Sequence, residues 1–313
     1  MIVAGLDFLG RHATRFMAAG AFAGLALPPL ADLVRPLLVP LLLVPLTIAL
    51  VRLDWRALAA YGRRPLLIAM IAAWLLLVCP LAVWAIAREL PLPPALSLAV
   101  VLMAAAPPIV SSPAIALFLG LDAALAVVAV LATTALVPFT LPPLALGLLG
   151  LDIAIGRLEF MLRLAAFVGV AFAVALIARR VLGAPWLARH GRALDGISVL
   201  NLVLFVIGIM AGVTDVLWAR PQVVALTLLV AVVANVVLQI AGAAVAWPLG
   251  RPAALAMGWM TGNCNMGLVL VTLADKADFD VILFFAVAQI PMYVLPGLLT
   301  PLYRRLLGRA SAA

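Results

Sequence analysis

Two side-chain amides stand close together in one of the most apolar parts of the sequence. Asn263 and Asn265 flank Cys264 within Gly258-Trp259-Met260-Thr261-Gly262-Asn263-Cys264-Asn265-Met266-Gly267, a run inside a long hydrophobic segment. Each amide carries donors and acceptors that hydrocarbon cannot satisfy. Two residues apart, they would not share a face of an unbroken helix. On an unwound stretch both reach one cavity, where they could hold a carboxylate or carbonyl of a small solute. They could also cap the helix ends on either side of a break. Glycine costs about 1 kcal/mol in a helix interior, so the three glycines of this run also argue for a break.

A second run of this kind comes earlier: Ala106-Pro107-Pro108-Ile109-Val110-Ser111-Ser112-Pro113. Pro108 and Pro113 each remove a helix hydrogen bond and clash with the preceding turn. The half-helix after Pro113 would present its N-terminal amides beside Ser111 and Ser112, and such an end attracts anions. The hydroxyls could instead cap local backbone only. Non-helical backbone at membrane depth survives only where protein or water satisfies it. A pair of interrupted apolar segments, one in each half of a chain, points to a transporter's binding site.

The candidate substrate contacts are therefore Asn263, Asn265, Cys264, Ser111, Ser112 and Asn201, the last an amide in the middle of another apolar stretch. Thr261, Gly262, Asn263 and Ser112 supply the oxygens of a candidate cation site. Cys264 also reads as a small packing residue. Asn235 and Gln239, one turn apart, and Thr133 with Thr134 read as groups that hydrogen-bond between packed helices. No resident metal is expected.

The elements that must position these residues are transmembrane helices. Of the 313 residues, 68% are hydrophobic and 10% charged, with a mean hydropathy of +1.31; soluble domains carry about 45–50% and 25%. A span needs roughly 20 apolar residues. Ten candidates fit: 16–34, 36–51, 65–87, 94–119, 123–148, 159–178, 194–213, 221–247, 253–274 and 279–303. They are continuous runs of Leu, Val and Ala rather than alternating strands, so a helical bundle is expected and a β-barrel is not. With a cytoplasmic N-terminus, 14 of the 20 basic residues fall on the cytoplasmic side, Arg56, Arg63 and Arg309 among them. That bias follows the positive-inside rule and places both termini in the cytoplasm. The acidic loop Asp275, Asp278, Asp280 falls outside.

The net charge of +8 belongs to these short loops and does not indicate nucleic-acid binding. Cys79 and Cys264 both fall within apolar spans, against a disulfide framework. Residues 1–15 lack the arrangement of a cleavable signal peptide, and a bacterial inner membrane is the expected location. An intramembrane enzyme would need a nucleophile and base at depth; neither histidine is so placed, and no enzyme is expected.

Ten spans divide into two sets of five at about residue 150, giving repeats 1–150 and 151–313. An odd number per set inverts the second against the first. The expected fold is all-α: ten transmembrane helices in two inverted five-helix repeats, with the fourth and ninth broken and crossing at mid-membrane.

In these features the chain resembles the bile acid:sodium symporter family, part of a superfamily that also takes in arsenite and auxin carriers. The likeness rests on the ten-span plan, on Ala106-Pro107-Pro108 through Ser112 followed by Gly120-Leu121-Asp122-Ala123-Ala124-Leu125-Ala126, and on Gly262-Asn263-Cys264-Asn265-Met266-Gly267-Leu268. It includes Leu53-Asp54-Trp55 leading to Arg63-Arg64-Pro65. The resemblance implies a core and a panel domain, with substrate and ion sites beside the crossing. It implies a secondary transporter, symporting a small organic anion by alternating access. The chain also departs from the sodium-coupled pattern. Met260 and Cys264 stand where those members carry a glutamate and a glutamine, and Ser112-Pro113 replaces Ser-Asn. Hydroxyls are lost near Ala126 and Val130, and a histidine near Tyr293-Val294. These departures weigh against sodium coupling by the usual sites. They leave a proton, a weakly held sodium ion, or no coupling ion. The alternative from a different class is a membrane receptor or scaffold with a fixed ligand pocket.

Overall fold

The computed structural model describes residues 2–52, 64–148, 153–273 and 276–308. Leu53-Asp54-Trp55, Arg56, Arg63, Asp275 and Arg309 fall outside the described residues. Among the described residues every regular element is a helix, and the β pairing is confined to one isolated bridge.

The chain opens with α1 (Ile2–Arg11), α2 (Ala13–Ala26), α3 (Pro28–Val34) and α4 (Leu38–Val51). Here the expected boundary between 16–34 and 36–51 is corrected. The chain turns at Leu27, which precedes Pro28 and sits at φ −128°, ψ 69°. A residue before proline is driven out of the α region. At Arg35 there is only one 3₁₀ turn, Arg35–Leu37, so α3 and α4 form one run.

Next come α5 (Pro65–Ala73) and α6 (Cys79–Glu89), joined by a π turn, Trp74–Val78. Pro80 would clash with the carbonyl four residues back in a regular helix, and the wider turn accommodates it. Then follow α7 (Pro94–Ala105), α8 (Ser112–Leu119) and α9 (Ala123–Pro142). Gly120 ends α8 at φ 74°, and Asp122 Oδ1 accepts from Leu125 N at 2.9 Å to cap α9. This is the role of the Gly120-Leu121-Asp122 motif.

α10 (Arg157–Ile209) is a second correction. The loop expected between 178 and 194 is helical, and direction changes at Gly183, with φ 75° and ψ 156°. Glycine reaches that conformation without strain, and Pro185 then falls in the first turn of the second arm. The chain ends with α11 (Val213–Ala219), α12 (Pro221–Val245), α13 (Arg251–Gly262), α14 (Met266–Leu273), α15 (Phe279–Val287) and α16 (Gln289–Leu306).

Among the described residues, six helical runs are long and apolar enough to cross a membrane: Pro28–Val51, Pro65–Glu89, Ala123–Gly147, Arg157–Ala219, Pro221–Val245 and Phe279–Leu306. α7 and α13 are shorter, about 18 Å each at 1.5 Å per residue, because each stops at a break.

Two groups of helices make the body. α10 lies along α1, α2, α3 and α4. A Cβ on Gly24 would lie 2.8 Å from Ile207 O, and one on Gly208 would lie 3.0 Å from Val34 Cγ1. Such small residues let helix backbones approach where no water drives association. At one end Arg52 pairs with Asp195, and Arg179 donates to Val51 O at 2.6 Å. In the second group α12 lies on α13, and α7 against α6 and α15.

Candidate functional site

The first break begins where local sterics require it. Ala106 precedes proline and is extended, at φ −75° and ψ 150°. The chain stays non-helical through 106–111, and α8 starts at Ser112. Pro113 is thus no breaker. It lies in the first turn, where proline is well tolerated.

The second break is confined to Asn263–Asn265. Gly258 and Gly262, read from sequence as breakers, are helical members of α13, and this too is a correction. Their hydrogens face another helix: a Cβ on Gly258 would sit 2.4 Å from Gln239 O, and one on Gly262 would sit 2.5 Å from Asn235 O. Four residues apart, they let α12 come against α13.

The two breaks pair with each other. Asn265 N donates to Pro107 O at 2.7 Å, and Ile109 N donates to Asn263 O at 2.9 Å. Pro108 and Cys264 face each other as one antiparallel bridge. The flanking residues make both bonds, so the position facing Cys264 needs no N–H, and proline fits it. Each break satisfies backbone groups that the other has freed.

Side chains from three further helices brace this crossing. Asn235 Nδ2 on α12 donates to Gly262 O at 2.7 Å and to Asn263 Oδ1 at 3.1 Å. Gln239 Nε2 donates to Asn235 Oδ1, and the Tyr303 hydroxyl on α16 donates to Gln239 Oε1. Trp74 Nε1, at the π turn, donates to Thr261 Oγ1 at 3.1 Å. Asn263 Nδ2 bonds back to Trp259 O at 2.9 Å, and Asn265 Oδ1 accepts from Leu268 N at 3.2 Å, capping α14. Cys264 Sγ donates to Thr261 O at 3.3 Å.

A narrow pocket, of about 30 Å³, opens beside the bridge. Its lining includes Ser111, Cys264 and Asn265 from the breaks, Gln289 and Tyr293 from α16, and apolar Leu42, Pro45 and Phe205 from α4 and α10. The starts of α8 and α14 border it. Asn263 and Ser112 are wholly buried behind it, and Ser112 Oγ has no hydrogen-bond partner. Asn201 is half-buried, donates Nδ2 to Ile197 O at 2.9 Å one turn back, and does not border the pocket; Leu202 of the same helix does. Gln289 was not singled out in the sequence, although it is a lone amide in an apolar segment and carried the same signal as Asn201.

A family model described as the sodium bile acid symporter family matches residues 39–220. The chain belongs to that family. The match takes in the first break and ends before the second. No curated protein matches the chain. Membership and the apolar helices together make this a multi-pass membrane protein of a transporter family, not of an enzyme family.

Proposed function

We propose that this family member is a secondary transporter, moving a small and largely apolar organic anion across the membrane by alternating access. The carrying observation is the paired helix breaks, whose polar groups border the pocket. Two helix N-termini border the same space, and such ends favour negative charge. Ser111, Asn265, Gln289 and Tyr293 are the polar groups for a carboxylate. The remaining wall is apolar and suits a hydrocarbon body.

The pocket lies on a seam. Leu42, Pro45, Leu202 and Phe205 form one wall; the breaks and α16 form the other. A second cavity, of about 270 Å³, lies along the same seam between Arg35–Val39 with Gly208–Ala211 and Leu270–Val271 with Ile282. Gaps at two levels of one interface favour rocking of α1–α4 with α10, as a panel, against the breaks and their braces, as a core. In this reading the chain has ten spans in inverted repeats 1–150 and 151–313. Both termini are cytoplasmic, in a bacterial inner membrane.

The test is uptake of radiolabelled carboxylates, cholate among them, into proteoliposomes. Saturable accumulation or counterflow is the expected result. Saturable binding without flux under any ion or proton gradient would sink the reading and leave a receptor with a fixed pocket.

A further inference from the structure

The family's description implies a coupling sodium ion, and the oxygens expected to hold one can be checked atom by atom. Gly262 O accepts from the Asn235 amide, as does Asn263 Oδ1. Asn263 O accepts from Ile109 N. Thr261 Oγ1 accepts from Trp74 Nε1 while donating to Met257 O, and Thr261 O accepts from Cys264 Sγ. Of the four residues only Ser112 offers an oxygen with no partner. Among the described residues no carboxylate is buried, and Met260, next to Thr261, is wholly buried. A hard cation needs several oxygen ligands at once. Without a negative ligand, a buried ion has little to offset its lost hydration. The residues present do not fit sodium.

The direction of the bracing hydrogen bonds is forced. A backbone carbonyl can only accept, so Asn235 must turn its NH₂ toward Gly262 O. Its Oδ1 then faces Gln239, which must present its own NH₂. Gln239 Oε1 in turn faces Tyr303, whose hydroxyl donates. Every donor in the series points toward the break. The positive end of an amide dipole stands against the carbonyl and amide oxygens of Gly262 and Asn263.

We infer that the Tyr303–Gln239–Asn235 ladder takes the structural place of a coupling sodium ion at the second break, so that the crossing is held and the transporter works without sodium. This rests on the transporter reading, but its test needs no flux. The thermal midpoint of the purified full-length protein is measured in about 100 mM sodium chloride and in equimolar choline chloride, since a ligand that binds the folded state raises stability with its concentration. The wild type is expected to melt at the same temperature in both. A sodium-specific rise of about 3 °C or more that saturates with concentration overturns the inference. Asn235→Asp, assayed at alkaline pH, replaces the donor by an anion facing two oxygens and is expected to acquire such a rise. A variant that folds and stays indifferent to sodium shows that the Asn235 amide is not what denies the ion, and also overturns it. Absence of flux for every carboxylate would sink the transporter reading while leaving these melting data standing.

Discussion

The two helix breaks meet across one bridge, yet they are made in different ways. The first is written in covalent geometry: Pro107 and Pro108 push their predecessors into extended backbone whatever surrounds them. No described side chain caps the start of α8. The second contains no proline. Asn263, Cys264 and Asn265 could each enter a helix, and they leave it because donors from α12 and from the first break donate to the freed oxygens. One break is a local property; the other is a tertiary one, which neighbours can hold or release. Membrane proteins tolerate either, provided that every freed backbone group finds a partner within the protein.

Substitutions test this contrast in order of expected effect. Gly262→Ala should be the most damaging, since its Cβ would meet Asn235 O and Gln239 Cγ, each at 2.5 Å. It should cost about 3 kcal/mol in thermal denaturation and abolish uptake. Gly169→Ala, with no atom within 4 Å of the added carbon, is the matched control and should be silent.

Asn263→Ala should follow, at about 2 kcal/mol. It removes an acceptor of the buried Asn235 amide and a bond to Trp259 O. Asn265→Ala should lose about 1 kcal/mol through the α14 cap, with normal expression and reduced uptake; wild-type flux would take Asn265 out of the site.

On the proline side the effects should be no larger. Pro108→Ala adds an N–H that the bridge does not use at a buried position, and it should cost about 1 kcal/mol. A loss as large as that of Asn263→Ala would erase the distinction between the breaks. Ser112→Ala removes a buried hydroxyl that has no partner, and should be neutral or slightly stabilising. A marked loss of melting temperature there would show that the hydroxyl is engaged.

Both breaks were legible because each disturbs a pattern that is itself local. Prolines in a row cannot continue a helix, and amides in an apolar run must find partners. The helical character followed from continuous hydrophobic runs, and Leu27, Gly120 and Gly183 carried readable turn chemistry even where the boundaries were drawn elsewhere. Ser111, Cys264 and Asn265 were singled out by type, and all three border the pocket.

Other features could not be read from residue type. Glycine breaks an isolated helix but also lets two helices touch, and nothing in Gly258–Gly262 says which; the approach of α12 decides it. Asn201 and Asn235 look alike in sequence, yet one bonds within its own helix and the other bridges to Gly262 O. Rotation about a helix axis chose between them. The composition and spacing of this chain determined that it enters a membrane, that it is helical and where two helices fail. Only the tertiary structure decided that the failures complete each other, because the groups each break leaves unpaired lie about 155 residues apart in the sequence and meet only by packing.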